Sequence, residues 1–279
     1  MPALPMPTID HVVVNVRDRL DEALETYRHL GFTMTPRGYH TLGSMNHLAI
    51  LGTEYLELIA APPGDTRRAE ILEGPIGLNG LVFGTEDSAS VHAALEAAGV
   101  PTEPPIQFSR PVRLTEGERD ATFRTVRLKP GVTDVGRLYF CHHFTRDLVW
   151  RDEWRHHANG AIGVERAIIA ARDPSVLEAL FVRMFGRDAV EKTPSGCSLL
   201  LGLSRFDVVV PATLSQEFGP AAPDGDGREE YMAALTIRTR SLDRAAAAFA
   251  AGHVDARRDA DRIVVPASAA FGVTLEFRV

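Results

Sequence analysis

"IDHVVVNVRDRLDEALETYRHLGFTMTPRGYHTLGSMNHLAILGTEYLELIAAP", residues 9–62, sets the pattern for the whole chain. It opens with a valine-rich strand over 9–16, and a helix starts near Asp18. Leu20, Ala23, Leu24, Tyr27 and Leu30 recur at helical spacing, and Gly31 stands where a helix-ending glycine belongs. Three short extended stretches follow, "FTMTP", "NHLAILG" and "YLELIA". The predicted order is therefore βαβββ.

The same order returns three times. The second copy runs from "NGLVFGTED" through the helix "SASVHAALEAAG" to "IQFSR", "ATFRTVRL" and "RLYFCHH". The third runs from "VERAIIAARD" through "PSVLEALFVRMFG" to "DAVEKT", "CSLLLGL" and "FDVVVPA". The fourth runs from "YMAALTIRTRS" through "LDRAAAAFAAG" to "DARRDAD", "RIVVPA" and "VTLEFRV". Two stretches break the pattern. Residues 145–163, "TRDLVWRDEWRHHANGAIG", part the second copy from the third and hold both tryptophans, Trp150 and Trp154. With His157 and Asn159 they read either as a clamp between two domains or as a wall over the first cleft. Residues 218–230, "FGPAAPDGDGREE", read as a surface loop between the third copy and the fourth.

Bulk properties narrow the function classes. The 279 residues are 45% hydrophobic and can bury two medium-sized cores. A net charge of −7 with dispersed basic residues argues against a nucleic-acid partner. No apolar run has the length of a membrane span, and the start lacks a secretory leader, so a cytoplasmic protein is expected. Cys141 and Cys197 are too few and too far apart for a disulfide framework, and both are expected to be buried thiols. Phosphate loops, GxSxG elbows and HExxH motifs do not occur.

Paired βαβββ modules resemble the vicinal oxygen chelate superfamily, which includes glyoxalase I, extradiol ring-cleaving dioxygenases and bleomycin-resistance proteins. The opening "IDHVVVNVRDRLDEALETYRHLGF" is similar to the superfamily's first strand and helix. Together with "GYHTLGSMNHLAILGTEYLELIA" and "FCHHFTRDLVWRDEWRHHANGAIG", it resembles the glyoxalase-like domain family. The resemblance implies an α+β fold in which four βαβββ modules form two glyoxalase/bleomycin-resistance-like domains. The first is expected over 7–146 and a linker over 147–160. A second, degenerate domain is expected over 161–279.

In such domains metal ligands stand at the head of the first strand and on the fourth strand of each module. The first copy places His11 and Glu57 there. Imidazole nitrogen and carboxylate oxygen suit one divalent ion, Zn, Mn, Fe or Ni. Strand alternation puts Glu57 on the same face as Tyr55 and Ile59. The second copy aligns Gly80 with His11, so the second histidine is missing, and puts Tyr139 or Cys141 near the carboxylate position. His142 and His143 end that strand. The third and fourth copies offer Arg166, Ala233 and Glu276, and Arg166 could pair with Glu276. That set lacks the two histidines of an extradiol dioxygenase.

Function is therefore expected in the first cleft, on a small-molecule ligand. His11 and Glu57 are the expected catalytic residues and metal ligands. Asn46, His40, Trp150 and His142 are the expected substrate contacts, whereas His47 is expected to face solvent. The resemblance implies a metal-assisted lyase or isomerase acting on a small oxygenated molecule, in a chain that could pair as a homodimer. The alternative is a non-catalytic, drug-sequestering binding protein that uses the same pocket without metal.

Overall fold

Val12, Val14 and Val16 pack on one side of the first strand and Val13 on the other, and both sides are buried. A strand covered on both faces reads as a continuous apolar run. In the computed structural model, which describes residues 3–114 and 117–279, this strand is β1 (Ile9–Asn15). It is followed by α1 (Leu20–His29), whose Leu20, Ala23 and Tyr27 are buried. Gly31 ends that helix at φ 78°, a left-handed conformation that glycine adopts without strain. A β-carbon at Gly31 would also stand 2.8 Å from that of Ala248, so this turn packs directly against the second half of the chain.

The first module closes with β2 (Gly38–Tyr39), β3 (Met45–Ile50) and β4 (Tyr55–Ala60). A short α2 (Ala69–Leu72) leads to the second module. That module comprises β5 (Gly77–Gly84), α3 (Ser88–Ala97), β6 (Ile106–Leu114), β7 (Gly117–Arg127) and β8 (Arg137–His143). The eight strands form one sheet in the order β2-β3-β4-β1-β5-β8-β7-β6. β1 and β5 are antiparallel at its centre, and each pairs in parallel with the last strand of its own module.

The second half repeats the plan with β9 (Ala161–Ala171), α4 (Pro174–Phe185), β10 (Val190–Thr193), β11 (Gly196–Leu201) and β12 (Ser204–Val209). After α5 (Pro211–Phe218) come β13 (Glu230–Thr239), α6 (Leu242–Ala251), β14 (Arg257–Arg258), β15 (Ile263–Val265) and β16 (Thr274–Arg278). Its sheet order, β10-β11-β12-β9-β13-β16-β15-β14, matches that of the first sheet strand for strand.

The helix-covered faces of the two sheets share one apolar core. Phe83 meets Phe185 and Phe206 at ring distances of 5.0 and 5.7 Å, and Phe32 meets Phe277 at 6.1 Å. The opposite faces keep separate apolar clusters, one for each cleft. The stretch after β8 is fixed to both halves. His157 accepts from the Thr33 N–H at 3.0 Å and donates to the Ile50 carbonyl at 2.8 Å. Asn159 donates to the Leu30 carbonyl, and its own carbonyl accepts from Thr239, each at 2.8 Å. Trp150 and Trp154, by contrast, pack on the apolar cluster of the first cleft.

Three local expectations change. His47 is buried rather than solvent-facing, because the far side of β3 is covered, and its Nδ1 bonds the Thr35 carbonyl at 2.8 Å. Arg166 and Glu276 do not pair. Arg166 binds Asp207 and Glu217, whereas Glu276 is held by Thr236, Arg262 and Arg278 at 2.7 to 3.1 Å. The stretch 218–230 is not wholly surface. Its first residue, Phe218, is buried with Leu214 of α5 in the second cleft, which the chain thereby fills with its own side chains. No helix among the described residues is long and apolar enough to cross a membrane.

Candidate active site

The first cleft holds a narrow cavity of about 40 Å³, room for a small polar molecule or a few waters. β1 brings His11 to its wall, β4 brings Tyr55, Glu57 and Ile59, and β3 brings Asn46. From the second module β8 adds Arg137, Tyr139 and Cys141, which alternate onto the same face.

Two hydrogen-bonded chains organise these groups. In the first, Asp10 Oδ1 takes the Nδ1 side of His11 at 2.5 Å and the Nε2 side of His143 at 2.9 Å. Burial alone would raise the Asp10 carboxyl. His143 and His11 outweigh it and hold that carboxyl well below the usual range. An ionised Asp10 places the His11 proton on Nδ1 and leaves Nε2 as an acceptor toward the cavity. Tyr139 O–H donates to that Nε2 at 3.0 Å, and Tyr55 stacks flat against the ring at 4.4 Å. Burial and Glu57 push the Tyr139 phenol above its ordinary value, so it stays a donor.

The second chain centres on Glu57. Asn46 Nδ2 donates to Glu57 Oε1 at 2.7 Å, while Oε2 lies 3.7 Å from His11 Nε2. Burial would raise the Glu57 carboxyl, but the nearby histidines, the Asn46 hydrogen bond and Arg137 together hold it below its usual value. Asn46 Oδ1 is buried without a hydrogen-bond partner and packs against Gly38, where a β-carbon would collide with it. His40 reaches Asn46 at 3.4 Å and Ser44 at 2.8 Å. Desolvation lowers the His40 imidazole to about 4, so it is neutral near pH 7.

Of the residues expected at the site, His11, Glu57, Asn46 and His40 line one cavity. Trp150 and His142 do not line it. Trp150 backs the wall, with its ring 5.5 Å from Tyr55 and 4.7 Å from His143. His142 alternates to the other face of β8 and packs on Phe144 at 4.2 Å. Sequence reasoning gave Asp10 no role, although it adjoins His11, and left His143 and Tyr139 undecided. It missed the guanidinium groups of Arg68, Arg110, Arg127 and Arg137 entirely.

A sequence model described as "Glyoxalase-like domain" matches residues 9–185, more than half of the chain. The chain belongs to the glyoxalase-like domain family. A hypothetical protein from Staphylococcus aureus aligns over 98% of this chain and 99% of its own, with TM-score 0.70 and 13% identity. A triple variant of 4-hydroxymandelate synthase from Streptomyces coelicolor aligns over 98% and 92%, with TM-score 0.57 and 14% identity. A xylose isomerase-like TIM barrel/4-hydroxyphenylpyruvate dioxygenase fusion protein aligns over 100% of this chain and 50% of its own, with TM-score 0.56 and 13% identity. At these identities the likeness is one of fold alone. No curated protein sequence matches the chain.

The donor set of this glyoxalase-like domain can be tested for a metal. His11 Nε2 and Glu57 Oε2, 3.7 Å apart, are close enough to share one divalent ion, and Asp10 orients the imidazole as a carboxylate partner does in metal sites. The second module adds no matching ligand at Gly80. A β-carbon there would lie 2.8 Å from that of Val13, which fills the space a second histidine would need. Asp10, Cys141 and His143 form another candidate group, with three potential ligand atoms within 4.8 Å of one another. In that group the Asp10 oxygen already takes two imidazoles, and burial holds the Cys141 thiol well above its ordinary value.

Proposed function

We propose that the first-domain cavity catalyses proton transfer on a small oxygenated molecule, as an isomerase or lyase. The observation that carries this reading is the pairing of an ionised carboxylate with a phenol donor on the wall of one cavity. Glu57 has Oε1 held by Asn46 and Oε2 free of hydrogen bonds. Tyr139 presents its O–H at His11, a group able to support a developing oxyanion.

The chemistry follows from these positions. Glu57 Oε2 takes the proton from a carbon beside a carbonyl. The carbonyl oxygen gains negative charge and draws the Tyr139 O–H away from His11. Asn46, by holding Oε1 of Glu57, keeps Oε2 aimed at the carbon that loses the proton. Return of the proton to the former carbonyl carbon, with the substrate hydroxyl's proton passing to the former carbonyl oxygen, gives an isomer, and loss of a leaving group gives a lyase product. A divalent ion, Zn, Mn, Fe or Ni, would be held by His11 and Glu57 and would supply Lewis-acid polarisation of the substrate oxygens.

A rival reading is a non-catalytic, drug-sequestering protein, and Val13 in the place of a second histidine ligand favours it. Exchange of substrate C–H for deuterium in D₂O separates the two. A panel of small hydroxycarbonyl compounds is followed by proton NMR with the wild type and Glu57→Gln, with and without added divalent metal. Exchange that falls at least about 100-fold in Glu57→Gln, with binding retained, supports the enzyme. Binding without exchange under every metal condition overturns it.

A further inference from the structure

Glu57 is the one carboxylate among the described residues lining the first cavity, yet four guanidinium groups line the same wall. Arg68 has partners of its own, since it pairs with Glu70 at 2.7 Å and donates to Ser44 at 2.6 Å. Among the described residues no carboxylate lies within ion-pair distance of Arg110, Arg127 or Arg137. Arg110, on β6, is only 3% exposed, and its Nη2 has no hydrogen-bond partner. Arg137, at the head of β8, reaches the Asn79 carbonyl with Nε at 3.4 Å, and its Nη2 is likewise buried without a partner. Arg127, paired in register with Tyr139, lies 5.9 Å over that phenol ring and has an unpartnered Nε.

Three such charges against the single carboxylate of Glu57 leave an excess of two positive charges (three minus one). Burying an unpaired charge is costly, so the buried Arg110 and the half-buried Arg127 and Arg137 make a wall that a counter-charge from outside would stabilise. Burial pushes the Arg110 and Arg137 guanidinium groups below their ordinary values, as expected of a wall that lacks its counter-charge. The adjoining opening shares Leu42, Arg68, Arg127, Arg137 and Tyr139 with the cavity and adds Arg67 and Lys129 with Glu70 and Glu103, so five cationic side chains face two carboxylates there. A positively lined approach draws anions inward.

We infer that the cavity takes a small organic oxyanion, a carboxylate or a phosphate ester, whose charged end is paired by Arg110, Arg127 and Arg137. This inference rests on the proton-transfer reading of the same cavity and gives that reading its substrate class. Guanidinium forks match either oxyanion with two parallel hydrogen bonds. Tyr139 stands beside Arg127 and two residues from Arg137, so an anion held there presents its next oxygen to the phenol and its next C–H to Glu57. Arg110, Arg127 and Arg137 are positioning residues in this scheme, because the proton moves at Glu57.

The test measures binding separately from turnover. The full-length protein is titrated with inorganic phosphate, pyruvate and the neutral methyl ester of pyruvate, at fixed ionic strength against chloride. Affinity is read by calorimetry and the melting temperature in parallel, for the wild type, Arg110→Met and Arg137→Met. Pyruvate or phosphate should bind and raise the melting temperature, and the neutral ester should not. The tighter of the two identifies the oxyanion. Each Met variant should weaken binding at least about tenfold. Arg110→Met should also melt no lower than the wild type without ligand, since it removes an unpaired buried charge. Equal binding of pyruvate and its ester overturns the inference, as does the absence of any shift beyond chloride. Anion binding without deuterium exchange would leave this inference standing and remove only the proton-transfer reading.

Discussion

Asn46 donates from Nδ2 to Oε1 of Glu57 at 2.7 Å, and this bond divides the carboxylate into a held oxygen and a free one. The free Oε2 lies toward His11 Nε2 at 3.7 Å. Both residues come from neighbouring antiparallel strands, with Asn46 opposite Ile59 and Leu48 opposite Glu57, so the pair meets on a diagonal of the sheet. The amide favours the ionised carboxylate and keeps its lone pairs aimed.

Asn46→Ala removes that bond. With one stabilising contact gone, the Glu57 carboxyl should rise toward its ordinary value, because burial, the largest opposing influence, remains. The acid limb of the pH profile for deuterium exchange should therefore move to higher pH. The rate on the high-pH plateau should fall about tenfold, as the base loses its fixed direction. An acid limb that stays in place while the plateau falls would mean that Asn46 shapes the cavity without tuning Glu57.

His40 carries a pH signature in stability. Its imidazole is lowered from 6.5 to about 4 in the folded protein, first by desolvation and then by Arg110 and Arg68. Between these values the unfolded chain binds a proton that the folded chain does not. Stability from this residue is present above pH 6.5 and is lost as the pH falls through 6.5 toward 4. His40→Gln keeps a polar group at the site but does not titrate there. Melting temperatures of wild type and variant, measured across that window, should converge as the pH falls. A constant offset between the two would show that His40 titrates alike in both states.

The sequence made the architecture legible because four βαβββ copies leave a periodic trace, and strand alternation alone put Tyr55, Glu57 and Ile59 on the cavity wall. His11 was legible as the only histidine heading a module. The arginines were not. Arg110, Arg127 and Arg137 lie on three different strands, β6, β7 and β8, and only the closure of the sheet brings them to one cavity. His142 and His143 show the limit of a strand-end reading, since alternation sends one ring to Phe144 and the other to Asp10. The pairing of Arg166 was misjudged for a similar reason. Its partners Asp207 and Glu217 come from a parallel neighbour strand and from α5, which follows it.

Gly80 and Val13 provide the last prediction. The β-carbon that any other residue would place at 80 lies 2.8 Å from the Val13 Cβ and 3.0 Å from its Cγ2, and both positions are on central, fully paired strands. Gly80→Ala should therefore cost about 1–3 kcal/mol through overpacking. Val13→Gly, which removes both contacting atoms, should alone destabilise by about 2–5 kcal/mol by emptying a buried strand position. If the clash is the cause, the double variant should be more stable than the sum of the two losses predicts, by about 1 kcal/mol or more. Urea unfolding of the four proteins gives this coupling directly. Strict additivity would mean that Gly80 is kept for its backbone and not because Val13 occupies the second histidine's place.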